Sequence, residues 1–276
     1  MKRRNSTRWA LGLLAAGAVL LTLGLVRLSS EQRQFESIVQ EAQQLKLQKQ
    51  AAETEAPAAS AAPAETLMPA AEGEAEEEEE PDWPEIRDSF ASLTRQNPDV
   101  CGWLHIEGVL DLPVLQRDQT FYVNHGFDGT ESSAGALFLD EKNCLWPEDQ
   151  HYVIYGHNMA SGAMFGYLPR YLDAAYWQNH KTVFWETLYG ESAAYVVCAV
   201  CVVSTEEGAA NYGSIRGWRS FDTEESFAAF MEQISRTRAY VTGVSMSAAD
   251  EYLSLVTCYG SDAERLVVLA RKERED

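Results

Sequence analysis

The chain has 276 residues, of which 46% are hydrophobic and 11% aromatic, so most of it has the composition of a globular protein. Lysine and arginine total 22 against 42 aspartates and glutamates, a net charge of −20. A chain this acidic has no broad basic surface that could bind a phosphate backbone, which argues against a nucleic-acid-binding protein. Five cysteines are too few for a disulfide scaffold.

The N-terminus has the pattern of a membrane anchor. The basic residues 1–8 precede Trp9–Val26, a run of 18 residues without a charge. At 1.5 Å of rise per residue, such a helix just crosses a hydrocarbon core of about 30 Å. A cleaved signal peptide is the alternative, although its apolar region is usually shorter, about 7–15 residues. We therefore expect a single-pass protein of the cell membrane, with residues 1–8 in the cytoplasm and the folded part outside.

Residues 27–80 are predicted to form a helical stalk and then a tether. Apolar positions recur at helical spacing between Glu31 and Gln50, which indicates an amphipathic or coiled-coil helix. Ala51–Glu80 is rich in Ala, Pro and Glu and ends in five consecutive glutamates. Because it has little to bury and repels itself, we expect an extended tether that holds the folded domain off the membrane. That domain is predicted to occupy residues 81–276.

Short runs of β-branched and aromatic residues dominate the predicted domain. Eight runs separated by Gly, Asp, Asn and Pro clusters are typical of antiparallel strands in a barrel or a sandwich. The runs are Trp103–Ile106, Leu112–Leu115, Ala136–Leu139, Tyr152–Tyr155, Thr182–Trp185, Ala194–Val203, Tyr252–Val256 and Arg265–Ala270. Helices are predicted at Glu85–Arg95 and after an N-cap at Asp222 or Thr223. The expected class is mainly β with peripheral helices.

The last two predicted strands carry reactive side chains. Cys258 ends one strand and Arg265 opens the next, so pairing as a hairpin brings both to the same end of the sheet. A guanidinium beside a thiol favours the thiolate and offers hydrogen-bond donors to an oxyanion. A structural role is the alternative, with the cysteine buried and the arginine on the surface. The hairpin by itself does not distinguish the two roles.

A thiol nucleophile also needs a base or an imidazolium partner. His157 follows the apolar strand His151–Tyr155 and starts a loop, where a sheet fixes the side chain and substrate can reach it. His105, His125 and His180 have positions that are more typical of structural histidines.

A C-x-x-C pair lies inside the predicted strand Ala194–Val203, at Cys198 and Cys201. Residues three apart in a regular strand point to opposite faces, so we expect that these sulfurs neither meet nor share a metal. The sequence has no second C-x-x-C and no spaced histidine pair to complete a zinc site. We therefore expect neither a metal nor a cofactor.

These residues, with several longer motifs, resemble the class B sortases. The catalytic part of the resemblance is Y-G-H-N-M around His157, T-C at Cys258 and R-x-V-V-x-A from Arg265. Further matching segments are Asn97–Leu104, Leu112–Gln116, Tyr122–Gly129 and Ser133–Asp140. The resemblance covers essentially all of residues 81–276.

The resemblance implies a closed eight-stranded sortase-type β-barrel and a cysteine transpeptidase. In that reaction Cys258 attacks a threonine carbonyl in the sorting signal of a secreted protein, His157 exchanges protons and Arg265 holds the oxyanion. The acceptor is then an amine of a peptidoglycan precursor or a pilin. The alternatives are a thiol peptidase that uses water as acceptor and a non-catalytic, tethered binding module.

The resemblance also implies a set of substrate contacts. The matching positions are Gln119, Val123, Val256, Thr257 and Tyr212. Gln119 and Val123 stand where the family has Asn and Leu, and Tyr212 lies in the segment that matches the family least.

Overall fold

The computed structural model describes residues 30, 32–54, 83–213 and 218–274. Within these residues, eight strands close into a barrel in the order β1-β2-β3-β4-β7-β8-β6-β5. The strands are β1 (Val100–Ile106), β2 (Leu110–Leu115), β3 (Leu137–Leu139), β4 (His151–Tyr155), β5 (Thr182–Thr187), β6 (Ala193–Ser204), β7 (Tyr252–Tyr259) and β8 (Ser261–Lys272). Each of the eight predicted runs forms a strand, and a barrel rather than a sandwich results. The prediction of antiparallel strands is wrong for two pairings, since β2 with β3 and β4 with β7 are parallel.

Large apolar side chains fill the interior of the barrel. Leu104, Ile154 and Leu255, from three different strands, have no exposed surface. Alternate residues of a strand point to the same face, so each strand contributes an apolar row to this core. Full burial of such a side chain stabilises the fold by roughly 1.5–3 kcal/mol. The packed core therefore holds the strands in place, so that side chains at the strand ends have defined positions.

Four α-helices surround the barrel within the described residues. They are α1 over residues 32–54, α2 (Ala91–Gln96), α3 (Ala174–Asn179) and α4 (Glu224–Thr237). α4 begins where the sequence predicts it, because the Thr223 hydroxyl accepts the Ser226 N–H at 3.1 Å. Its Phe230 and Ile234 are buried against the outer face of the sheet.

The helix predicted at Glu85–Arg95 begins later than expected. A 3-10 turn covers Asp88–Phe90, and α2 follows it. Arg87 is extended, with φ −61° and ψ 140°, and its N–H donates to Leu188 O at 3.0 Å. Because this bond holds the backbone out of the helical region, the first predicted turn does not form.

α1 packs along the barrel. Its Leu45 is 4% exposed and belongs to the same apolar cluster as Leu93 of α2. The buried Lys49 pairs through Nζ with a Glu186 carboxylate oxygen on β5 at 2.7 Å. The amphipathic face predicted for the stalk thus faces the domain, and the helix continues beyond Gln50 to residue 54.

Other parts of the N-terminal prediction lie outside the described residues. These are the span Trp9–Val26 and nearly all of the tether Ala51–Glu80. Among the residues that the structure does describe, no helix is both long and apolar enough to cross a membrane. The anchor and a domain boundary at Pro81 therefore stay predictions.

The prediction that Cys198 and Cys201 face opposite sides of β6 is wrong. The pairing of β6 with β8 shifts register between Val197 and Ala199, so a bulge at Cys198 inserts one residue into the alternation. Both cysteines consequently pack in the cluster that α4 covers. All five cysteines carry free thiols. No group of three His, Cys, Asp or Glu side chains in the described part of the chain could hold a metal ion.

Candidate active site

Two parallel strands bring His157 and Cys258 to one end of the sheet. β4 pairs with β7 in a register that sets Tyr155 beside Val256, and each reactive residue lies two positions further along its chain. Equivalent positions on neighbouring strands are about 4.8 Å apart and point to the same face. The register therefore brings both residues to one end of the sheet, where they line the same groove.

The hairpin of β7 and β8 places Arg265 at the same end of the sheet as His157 and Cys258. These three residues form the reactive row. Cys258 and Arg265 are direct cross-strand partners, as the predicted pairing requires. The chain turns at Gly260, whose φ of 64° suits glycine. Nη1 of Arg265 donates to the carbonyl oxygens of Asp262 and Glu264 at 2.7 and 2.8 Å, which holds the guanidinium close to the turn.

A backbone carbonyl orients His157. Nε2 of the ring lies 2.7 Å from Val123 O, and because a carbonyl oxygen only accepts, Nε2 carries the proton of the neutral ring. Nδ1 is then the nitrogen that can exchange a proton with a thiol or a substrate. The preceding Gly156 is closely packed, since a Cβ there would lie 2.5 Å from Leu137 Cδ2 and 2.9 Å from Phe165 Cδ2. Only glycine lets this strand end approach its neighbours so closely.

A groove of about 580 Å³ opens at this row of side chains. Every predicted site residue lines it: His157, Cys258, Arg265, Gln119, Val123, Val256, Thr257 and Tyr212. Val256 and Thr257 are 1% and 2% exposed, so they form the buried part of the lining, whereas Tyr212 is 39% exposed. The structure brings all eight residues together, and their roles in binding stay predictions.

Five further residues of the groove were not predicted. They are Phe138, Tyr155, Gly156, Thr205 and Gly213. The rings of Phe138 and Tyr155 stack with centroids 5.4 Å apart. Strand alternation could have indicated Tyr155, because it lies two residues before His157 and hence on the same face. Thr205 and Gly213 reach the groove only through the tertiary fold, which no local pattern reports.

Exposure distinguishes Cys258 from the other cysteines. Cys258 is exposed, whereas Cys101, Cys198 and Cys201 are buried. Burial raises the pKa of all three buried thiols, that of Cys201 to about 11, so these thiols stay protonated near neutral pH. Cys144 is partly buried, and its thiol donates to a backbone carbonyl at 3.0 Å. The groove therefore holds the thiol that a substrate can reach.

The other histidines named as structural make local contacts. Nδ1 of His125 lies 2.8 Å from Phe121 O, and Nδ1 of His180 lies 2.9 Å from Tyr176 O. Nδ1 of His105, on β1, lies 3.4 Å from a carboxylate oxygen of Asp111 on β2. These three rings do not line the groove, which leaves His157 as its imidazole.

A comparison with protein families agrees with this geometry. The family described as "Sortase domain" matches residues 110–273, a stretch that includes the whole reactive row. The chain belongs to the sortase family.

Relatives of this sortase identify its class. It is 28% identical to Sortase B of Staphylococcus aureus (strain NCTC 8325 / PS 47) over 191 residues, 67% of this chain and 75% of that protein. It is 29% identical to Sortase B of Listeria monocytogenes serovar 1/2a (strain ATCC BAA-679 / EGD-e) over 176 residues, 63% of this chain and 68% of that protein. The sequence-based identification as a class B sortase, a cysteine transpeptidase, is confirmed.

Solved structures resemble this sortase in fold. A Staphylococcus aureus sortase B–substrate complex has a TM-score of 0.61 and 26% identity, covering 69% of this chain and 87% of that one. Sortase B from B. anthracis in complex with AAEK1 has a TM-score of 0.60 and 26% identity, covering 69% and 86%. A further S. aureus sortase B structure covers 89% of this chain with a TM-score of 0.64, and at 23% identity it supports the fold alone.

Proposed function

We propose that this sortase is anchored in the cell membrane through residues 9–26 and links secreted proteins to an amine outside the cell. Its substrate carries a C-terminal sorting signal, and its acceptor is an amine of a peptidoglycan precursor or a pilin. The row of His157, Cys258 and Arg265 in one groove is the observation that carries the proposal. Two sortase B structures support the two ligands, since one, from S. aureus, is described as a substrate complex and the other as complexed with triglycine.

The first half of the reaction forms a thioester. The Cys258 thiolate attacks the threonine carbonyl carbon of the sorting signal while His157 holds the thiol proton, and Arg265 donates to the oxyanion. The scissile C–N bond then breaks, and Nδ1–H of His157 protonates the leaving amine. Cys258 is left acylated by the threonine, and the imidazole is neutral.

The second half transfers the acyl group to the acceptor. A neutral amine attacks the thioester, Nδ1 of His157 takes the proton that the amine loses, and Cys258 leaves as the thiolate. The Val123 carbonyl accepts from Nε2–H, so the ring presents the same nitrogen in both halves. Water in place of the amine would give a thiol peptidase with the same groups.

Mass spectrometry of the 276-residue chain, incubated with a pool of sorting-signal peptides and amines, tests the proposal. The wild type is expected to gain the mass of a peptide acyl group and to pass it to an amine. We expect no adduct in Cys258→Ala, which removes only one small side chain and keeps the fold. His157→Ala is expected to be nearly as impaired, and His125→Ala is the control.

Three outcomes decide between the alternatives. Release of the free acid alone at every amine concentration would identify a peptidase. An adduct that persists in Cys258→Ala, or activity lost in His125→Ala but kept in His157→Ala, would show that the wrong side chains have been assigned. No covalent adduct in the wild type with any peptide would favour a binding module.

A further inference from the structure

At the ends of β4 and β7, side-chain donors replace backbone donors in the hydrogen bonds between the two strands. The Gly156 N–H still donates to a backbone carbonyl of β7, at 3.2 Å. Beyond it, the Thr257 hydroxyl donates to Gly156 O at 2.7 Å, and Nδ2 of Asn158 donates to Cys258 O at 3.0 Å. Side chains thus tie the two strand ends together on either side of His157.

The loop that follows holds Asn158 in place. Asn158 forms a backbone bridge with Met164, whose φ of 51° is uncommon for a residue other than glycine. The next residue, Phe165, is 1% exposed, and its N–H donates to His157 O at 2.9 Å. The loop therefore folds back on His157 and fixes the Asn158 backbone relative to the imidazole.

We propose that Asn158 is a positioning residue, whose amide holds the Cys258 backbone where the thiol faces His157 in both acyl-transfer steps. The inference rests on the proposed function, which assigns those two groups to the reaction. Asn158 is not among the residues that line the groove, so it acts through Cys258 rather than on the substrate. An amide does not titrate, so the bond persists while the imidazole gains and loses its proton.

Steady-state kinetics of the 276-residue chain test this role. Asn158→Leu keeps the approximate size of the side chain but lacks the donor, and Asn158→Ala removes most of the side chain. Both variants are expected to lower kcat for peptide transfer by about 10- to 100-fold, because small misplacements of reacting groups cost that much. KM for the peptide should not change, since the groove lining is intact.

A matched control comes from α3. Nδ2 of Asn179 also donates to a backbone carbonyl, Ala175 O at 2.9 Å, and the residue is exposed like Asn158. Asn179→Ala removes the same type of bond away from the groove and is expected to keep the wild-type kcat. A rise in KM with unchanged kcat in both Asn158 variants would make Asn158 a substrate contact and overturn the inference.

A second readout needs no substrate. The rate at which iodoacetamide alkylates Cys258, measured against pH, reports how the thiol and the imidazole interact. Asn158→Leu should move this profile toward that of His157→Ala, and the double variant should match His157→Ala because Asn158 acts through the same pair. A residue with a merely structural role would instead lower the melting temperature and leave the alkylation profile unchanged.

The two proposals fail in different ways. Wild-type kcat and a wild-type alkylation profile in both Asn158 variants overturn the positioning role and leave transpeptidation untouched. If the wild type forms no acyl-enzyme, the proposed function is wrong, and the alkylation profiles still decide whether Asn158 sets the geometry of the pair.

Discussion

At the scale of single residues, the Arg265 guanidinium is hydrogen-bonded to the turn between β7 and β8 and still has N–H donors for a substrate. Both of its bonds to the turn carbonyls of Asp262 and Glu264 use Nη1. A guanidinium has five N–H donors in a rigid plane, so Nε and Nη2 provide the donors that we assign to the substrate carbonyl. The turn thereby orients the group before any substrate binds.

Arg265→Lys is expected to lower kcat/KM by about 10²- to 10³-fold, the usual effect of losing an oxyanion donor. The charge is kept, but an ammonium is a mobile point charge that cannot bond to the turn and the substrate in one fixed plane. The matched control is Arg271→Lys on the same strand, about 20 Å away at roughly 3.3 Å per residue, which should keep its activity. Equal losses of peptide turnover in the two variants would contradict the role of Arg265.

The sequence predicts the reactive side chains well and their supports poorly. Cys258 and His157 lie at the ends of apolar runs that are visible in the sequence. The parallel pairing of β4 with β7 that brings them to one sheet end is not visible there, because the runs alone indicate antiparallel strands. The carbonyl of Val123 and the amide of Asn158 could not be assigned in this way. A main-chain acceptor leaves no signature in the residue that carries it, and an asparagine beside a histidine is compatible with many loops.

At the scale of elements, the sheet face beneath α4 contains a buried histidine. His151, on β4, is 1% exposed, and its Nε2 lies 2.9 Å from Ser254 Oγ. Its Nδ1 lies 2.5 Å from Trp218 O, in the segment that leads to α4. Burial lowers the pKa of His151 to about 4, so the ring is neutral in the folded protein near neutral pH.

The buried His151 is expected to make the protein less stable in mild acid. The unfolded chain takes up a proton near the ordinary pKa of 6.5, whereas the folded protein takes it up only near about 4, so the unfolded state binds more protons between these values. The free energy of unfolding should therefore be unaffected by this group above about pH 6.5 and fall by as much as about 3 kcal/mol toward pH 4. Urea unfolding across this pH range measures the loss.

His151→Gln removes the titrating group and should flatten that pH dependence, whereas His180→Gln, at a partly exposed position, should retain it. A fall of the same size in His151→Gln would show that carboxylates, rather than this histidine, cause the acid sensitivity.

Regular elements were predictable at this scale, and irregular ones were not. Runs of β-branched and aromatic residues between turn residues predict all eight strands, and the helical spacing of apolar residues predicts α4, because both are local properties of the sequence. The bulge at Cys198 inserts a residue into a run that is apolar throughout, so the sequence has no polar position to mark the break. Arg87 is extended rather than helical because its N–H donates to Leu188 O. Leu188 follows β5 and is distant from Arg87 in the sequence, so no local pattern could indicate this hydrogen bond.

At the scale of the whole molecule, α1 is part of the catalytic body. Leu45 and Lys49 lie on the face of α1 that meets the barrel, whereas Leu47 is 65% exposed. Lys49 also lies over the Phe90 ring, 5.0 Å from its centroid. The sequence predicts the helix and its amphipathic face. It could not predict the surface that this face meets, because a coiled-coil partner and the protein's own domain require the same apolar spacing.

Leu45→Ala is expected to lower the free energy of unfolding by about 2–5 kcal/mol, the usual cost of a cavity at a buried leucine. Leu47→Ala, on the opposite face of the same helix, should change it by no more than about 0.5 kcal/mol. Chemical denaturation of the two variants, each made in the 276-residue chain, gives the comparison. Equal, small effects would mean that α1 is not docked in solution and that a domain starting at Pro81 is independent of it.

The docked helix has a mechanical consequence. Tension applied to the chain before α1 would be carried first by the contacts of Leu45 and Lys49, because these contacts hold α1 on the barrel. A pull from that side would therefore load the interface between the helix and the barrel before it loads any strand.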